Sequence, residues 1–540
     1  MAIVPSRGLG KLGIITDVDP FDLPVNAFSF GKNVRFENGR IERGPIFRDV
    51  FHFDNDLREF YGYQTATGAS RLLTIVKNGG IIEWTPQAGE VWMAPTYWTG
   101  QDSDIHTQVV GVNSVIFVNR EDHVPWARGK DDAIPFGILP SGAGHWQADW
   151  RTKCLCSVAG VLVALNVTKG AKVLPNNVLW SNFVPFYSYP DWDIASTTSS
   201  AGENTLAEMK EPIVYGLPLR NTLMIYANHE TWTMEYVGGN QMFNFSRQFD
   251  KGIIAQNCAV ETNSIQYVFG SNDIWMHDGM SQRSIAQGRV RKFIYDNLRL
   301  SQKDMFFVAH NPDLNEVMFC YVSDDPYCKF PPVNSSGCNR AAVYNYASET
   351  WTFADLPYVS CASRMAVTNA QNFDSDTVSW QSVGGSWSSQ EGELKLSFIM
   401  GNYSNMPALV PAAIRTYAPV DATTTAWPID DNANAGSFLY RAGLDLDELN
   451  AELRGYKLCS SVYPQIRLGS DAKPLTFSLG STDYTSDEPV WGITQTYDRT
   501  FYKLDHNIAG RFLFLKMEQS DHAQFSMSGL DYDLTLLGSR

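Results

Sequence analysis

"GSNDIWMHDG" (Gly270–Gly279) follows the apolar run "IQYVF", with a turn between them. Trp275 stands mid-strand and the stretch closes on Asp278-Gly279, so it reads as the second half of a β-hairpin. Similar pieces recur as "NGGIIEWTP", "NREDHVPWAR", "PNNVLWSN", "NHETWTMEY" and "ASETWTFAD". Aligned on tryptophan they give Trp84, Trp126, Trp180, Trp232, Trp275 and Trp351, at intervals of 42, 54, 52, 43 and 76 residues. Each interval holds two or three strands of alternating apolar residues between Asn, Asp or Gly turns. Several strands per unit at a spacing of about 40–50 residues is the pattern of β-propeller blades. The spacing predicts a propeller of about six blades over residues 61–360. The alternative is an irregular all-β sandwich with chance Trp spacing. The last interval is long because "DDPYCKFPPVNSSGCNR" reads as an inserted loop. Blades pack face to face, and an aromatic side chain there buries about 150–250 Å². The six tryptophans are therefore expected to be packing residues rather than a ligand cage. Asp273 and Asp278-Gly279 are expected to shape turns. His277, unmatched in the other copies, is expected at a strand end on the surface.

The totals agree with a β protein. At 540 residues the chain has room for two to four domains. Aromatic residues make up 13% and charged residues 19%, and aromatic side chains pack well on a pleated surface. The net charge of −16 disfavours tight phosphate binding, so a specific DNA reader is not expected. An acidic wall past which nucleic acid slides remains compatible with it. The longest apolar stretch, "VAGVLVALNV" (Val158–Val167), falls well short of the roughly 20 residues of a membrane span, and no secretory signal is legible at the start.

Outside the repeats, residues 1–60 hold an extended segment and one clear hairpin, "NVRFENGRIERG", around Asn38-Gly39. Asn-Gly is the preferred pair for a two-residue type I′ turn. Short helices are expected in "GRVRKFIYDNLRLSQKD" (Gly288–Asp304) and "DLDELNAELRGY" (Asp445–Tyr456). Residues 361–456 read as a turn-rich β and loop connection. Residues 457–540 read as a small antiparallel sandwich or barrel, which completes a platform with the N-terminal hairpin.

Catalytic constellations are missing from the sequence. There is no HExxH, G-x-S-x-G or Walker-type glycine loop, and the nine His are dispersed. "GLGKLG" (Gly8–Gly13) has dinucleotide-type glycine spacing without the strand and helix that give it a mechanism. Acid clusters such as "DNDLRE" and "LDLDE" read as solvated loops. A propeller hydrolase would need a carboxylate pair roughly 5–10 Å apart across a cleft. Cys154 and Cys156 share one strand face. For Cys320, Cys328 and Cys338, a disulfide or metal is the alternative to free thiols, which is the preferred reading. No cofactor, metal site or catalytic residue is expected.

Three stretches carry a resemblance. "ITDVDPFDLPVNAFSFGKNVRFENGRIERGP", with Leu23, Pro24, Asn26, Asn33, Arg35 and Asn38-Gly39, resembles the start of tail nozzle (tail tubular) proteins of short-tailed bacteriophages. "DKGIIAQNCAVETNSIQYVFGSNDIWMHDGMSQRSI" resembles a recurrent blade of those proteins, followed by a short helix such as "RVRKFIYDNL". "AGRFLFLKMEQSDHAQFSMSGLDYDLTLLGSR" resembles their closing strands. The resemblance implies a non-enzymatic structural protein of the virion tail, assembled in the host cytoplasm. It implies a homohexameric tube below the portal and adaptor, with tail fibres or spikes outside and genomic double-stranded DNA passing non-specifically through the lumen. On that reading the Asn38-Gly39 hairpin lies near an assembly surface. The runner-up reading is a propeller that binds or hydrolyses cell-envelope glycans.

Overall fold

Two-residue turns with left-handed backbone set the local geometry. Asn113-Ser114, Ala159-Gly160 and Asn263-Ser264 all have φ between 43° and 80° at both positions. That is the twist a tight hairpin needs. In this computed structural model the chain builds meanders from such turns. The structure describes residues 2–52, 57–65, 70–76, 80–85, 89–92, 107–130, 137–142, 144–239, 242–368, 394–403, 410–420, 428–449, 453, 455–469, 474–498 and 500–538.

Five consecutive antiparallel sheets have four strands each, in chain order. The first runs Leu57–Gln64, Ser70–Val76, Ile81–Thr85, Gly89–Trp92. The second runs Thr107–Val112, Val115–Arg120, Trp126–Gly129, Gly137–Ile138. The third runs Trp150–Val158, Val161–Lys169, Lys172–Phe183, Gly202–Thr205. The fourth runs Tyr215–Leu219, Thr222–Tyr226, Thr231–Tyr236, Phe243–Phe249. The fifth runs Ala259–Thr262, Ile265–Phe269, Ile274–His277, Gln282–Ser284. A sixth sheet has seven strands: Phe307–Asn311, Glu316–Tyr321, Cys338–Asn345, Thr350–Thr368, Leu394–Asn402, Ala413–Ala418 and, from far upstream, Ile46–His52. The first strand of each sheet lies beside the first strand of the next. Thr350–Thr368 of the sixth sheet comes back against the first sheet.

The molecule is mainly β, built from antiparallel sheets apart from one short parallel pair, Gly13–Ile14 with Ala27–Phe28. Two further sheets combine the chain's ends. One orders Leu504–Gly510, Tyr456–Leu468, Phe525–Gly538, Arg40–Arg43, Val34–Glu37, with Ala2–Arg7 also paired to Phe525–Gly538. The other orders Val490–Trp491, Leu475–Thr482, Phe512–Gln519, Ser437–Leu444, Phe30–Lys32, with Gln495–Tyr497 off Leu475–Thr482. Both contribute to one apolar cluster, through Val462, Phe525 and Leu530 on one side and Leu439, Phe477 and Leu515 on the other. Among the described residues no sheet closes on itself as a barrel.

Several expectations change. The boundary drawn at 360/361 falls inside the strand Thr350–Thr368, which bends at a register shift near Val359–Cys361 and pairs onward with Leu394–Asn402. Residues 394–418 therefore extend the sixth sheet rather than forming a loose connection. The Gly288–Asp304 stretch is broken into an α-turn, Arg291–Asp296, and a 3-10 segment, Leu300–Met305. The Asp17 carboxylate caps the first, accepting from the Lys292 amide at 3.0 Å. Of the helix expected over Asp445–Tyr456, the described residues 447–449 form a turn, and Tyr456 begins a strand. Residues 450–452 and 454 lie outside the described residues. No helix among the described residues is long and apolar enough to cross a membrane.

Candidate functional site

The tryptophans sit where successive sheets face each other. Trp84, Trp126, Trp180, Trp232 and Trp275 are all on the third strand of their sheet, whereas Trp351 is on the fourth strand of the sixth. The misalignment arises because the insertion lengthens the second connection of that sheet, and the next tryptophan comes one strand later. Trp84 packs with Cys361, Met365 and Ile399 of the sixth sheet, and Trp126 with Leu73 and Ile75 of the first. Trp232 and the half-buried Trp180 share the cluster between the third and fourth sheets. Trp275 and Trp351 belong to the cluster that joins Tyr226 and Phe249 to Phe319. The Trp275 indole N–H donates to the Gly252 carbonyl at 3.2 Å, and that of Trp351 to Ile285 at 3.0 Å.

His277 is not on the surface; only 2% of it is accessible. It stacks on Trp275, with ring centroids 5.0 Å apart. Its Nε2 lies 2.7 Å from the Tyr226 hydroxyl, which itself donates to Gln266 Oε1. Nε2 must therefore carry the proton and donate to the tyrosine oxygen, while Nδ1 accepts from the Gly279 amide at 3.2 Å. Burial pushes its pKa down to about 4, against a smaller opposing pull from Asp278. Gln266 completes the network by donating to the carbonyls of Leu217 and Pro218 on the fourth sheet. Local sequence could not reveal this, because the partners lie some 40–60 residues upstream. Asp278 does shape a turn, accepting from the amides of Met280 and Ser281. Asp273 closes its turn with its backbone carbonyl, which accepts from the Gly270 amide at 3.0 Å, while its side chain pairs with Lys251 at 3.0 Å and accepts from the Ser284 hydroxyl.

The Asn38-Gly39 turn forms as expected, with φ of 50° and 74° and Glu37 opposite Arg40. Its hairpin is an edge of the first terminal sheet, and the Gly39 carbonyl accepts from the Gly10 amide. All eight cysteines carry free thiols. Among the described residues no three His, Cys, Asp or Glu side chains cluster as a metal site.

The candidate site lies where the first strands converge. A cavity of about 300 Å³ is lined by Glu59, Gln108, Cys156, Ser157, Tyr215 and Asn257, with backbone from the first four sheets. Each first strand is the end of its sheet, so one ladder of N–H and C=O groups has no strand partner. Glu59 owes its position to a β-bulge: the register with Ser70–Val76 shifts between Leu57 and Glu59. Bulges re-aim side chains, and here Arg58 and Glu59 diverge. The Arg58 guanidinium lies against Met305 and over the Tyr403 ring. Among the described residues the Glu59 carboxylate makes no ion pair within contact distance; it accepts from the Phe60 amide at 3.2 Å and a long 3.5 Å contact from Asn257 Nδ2. Burial raises its pKa to about 7, outweighing the Phe60 hydrogen bond and the Arg58 charge. Glu59 is partly buried and lines the cavity. Burial also pushes up the Tyr215 phenol and the Cys156 thiol, keeping both protonated at neutral pH. Sequence reasoning missed Glu59; its only signal was the charged pair Arg58-Glu59 inside a strand of apolar and aromatic residues, "LREFYGY".

No family model matches this chain, and neither does any curated protein. Among solved structures it is similar to the computationally designed Ika8 protein, at 8% identity and a TM-score of 0.36. That match covers 69% of this chain and 100% of the designed one, and at this score it carries no argument.

Chemically, the cavity offers the Glu59 carboxyl, the Tyr215 phenol, the Cys156 thiol and neutral amide and hydroxyl groups. It holds no nucleophile–base pair and no second carboxylate among its described lining residues.

Proposed function

We propose that the chain is a structural subunit of the tail nozzle of a short-tailed bacteriophage. In this reading the five four-stranded sheets and the strands of residues 307–368 are the blades of a six-bladed β-propeller. The two terminal sheets are a β-sandwich platform. The observation that carries it is the strand pairing of Ala2–Arg7 and the Asn38-Gly39 hairpin with Phe525–Gly538. The first and last stretches that resemble nozzle proteins thus belong to one body, while the middle one is a single repeat of the other.

The subunit forms a homohexameric tube below the portal and adaptor, helps retain the packaged genome and conducts it during ejection. Fibres or spikes attach outside. Two properties support this role. The net charge of −16 is of the sign that a DNA-conducting wall needs in order to repel the DNA backbone at short range. The platform exposes Tyr484, Val490, Ile493, Phe501 and Tyr502, an apolar surface of the kind that marks protein contacts. The test is the mass of the purified chain, alone and with virion components. Hexamers, or assembly that depends on the adaptor, are expected; a stable monomer that cleaves polysaccharide would overturn the reading.

A further inference from the structure

We infer, resting on the nozzle reading, that opposite ends of one terminal sheet meet between neighbouring copies of this chain. The acidic, apolar end at Val490–Trp491 of one copy docks on the basic end at Phe30–Lys32 of the next.

The two strands are the outermost of five in their sheet. Four interstrand steps put them roughly 20 Å apart, too far to cover one another within a copy. At the first end, residues 475–498 hold four carboxylates and no Lys or Arg. Asp487 and Glu488 are exposed there and pair with no cation among the described residues. Beside them Tyr484, Val490 and Ile493 are 67%, 74% and 78% accessible. Lys516 borders this end, held over the Trp491 ring at 4.7 Å. The second end carries the segment 283–303: Phe293 packs on Phe30 with ring centroids 5.4 Å apart, and the Arg289 carbonyl accepts from the Thr16 and Asp17 amides. That segment has six Lys and Arg against one carboxylate, Asp296, so it is basic in a chain of net charge −16. Arg283 and Arg299 pair with Glu349 and Asp324. Arg291, Lys292 and Lys303 are exposed with no ion pair among the described residues, near the exposed Leu300. A closed ring repeats one contact between two unlike surfaces, so each copy must present both. Opposite charge steers and registers such a contact, and the apolar side chains lose water in it. DNA or a separate acidic protein would neutralise the basic end but leave the acidic, apolar end uncovered; a second copy covers both.

The experiment measures the mass of the full chain in solution, with and without the adaptor. Two variants each reverse one end: Lys292→Glu with Lys303→Glu, and Asp487→Lys with Glu488→Lys. Each variant alone should need at least about tenfold more protein to assemble, because like charges then face each other. Mixed in equal amounts, the two should regain the wild-type mass, since in a ring of alternating copies every reversed end meets its complement. Wild-type assembly by either variant alone, or no recovery in the mixture, overturns the inference and leaves the nozzle reading standing. Single copies of the wild type under both conditions overturn the two together. Should a variant not fold, wild-type assembly that about 1 M NaCl does not weaken overturns the inference instead.

Discussion

His277 sits between the Trp275 indole and the Tyr226 hydroxyl, and both its ring nitrogens are committed. A second proton on Nδ1 would break the bond from Gly279 and charge a buried ring. Its folded pKa, about 4, lies below the ordinary 6.5, so the unfolded chain binds more protons between those values. The stability it contributes is complete above pH 6.5 and lost as pH falls through 4, to a total of about 3 kcal/mol. Urea midpoints against pH should fall more steeply over that window in the wild type than in His277→Gln. Glu59 has the opposite sign. Its pKa is raised to about 7 from 4.5, so it destabilises the fold fully above pH 7 and not below 4.5. At pH 8, Glu59→Gln should therefore gain about 2–3 kcal/mol, and nothing at pH 4, as read by the urea midpoint.

The hairpin that ends on Trp275 works only with two glycines beside it. A Cβ on Gly252 would stand 2.1 Å from the Ala227 carbonyl oxygen, and one on Gly270 would stand 3.0 Å from the Trp275 indole nitrogen. Gly252→Ala should lower the urea midpoint by the equivalent of about 3 kcal/mol and shift the Trp fluorescence of the native state, because the overpacked side is backbone. A variant with wild-type midpoint and spectrum would contradict this packing. At this scale much was legible. Asn38-Gly39 dictates its turn, and period-two apolar runs dictate strands, because both are set by neighbours in sequence. Less legible was what depends on distant partners. The short α-turn at Arg291–Asp296 is capped by Asp17, 275 residues away, and it breaks where Asn297 bonds back to Phe293. Trp351 was aligned with the third-strand tryptophans because periodicity alone does not number strands across an insertion.

At the scale of the whole molecule, a buried ionic joint links the chain's start to the sixth sheet. Arg340, fully buried, donates to Asp355 at 2.6 Å and pairs with Asp325; Lys32 and Asn33 reach Asp355 at 3.0 and 3.1 Å. Asn33 Oδ1 in turn accepts from the Asp355 amide. Asp355→Ala leaves Arg340 and Lys32 short of a counter-charge and should cost about 3–5 kcal/mol, seen as a lower urea midpoint. A loss under about 1 kcal/mol would show that the joint does not bear on stability. This joint gives Asn33 a structural role that its sequence context did not disclose. The pairing of Ile46–His52 with Ala413–Ala418 was hidden for the same reason: some 370 residues separate the partners, and no local pattern records such a pairing. The cavity and its bulged Glu59 were hidden likewise, since they exist only once four sheets converge. Electron microscopy of the purified chain, alone and mixed with the head-to-tail adaptor of the proposed nozzle, shows what the chain builds. On the nozzle reading, six-fold tubes with an open lumen, six copies of this chain per tube, are expected. Isolated single copies that never associate, with or without the adaptor, would contradict it.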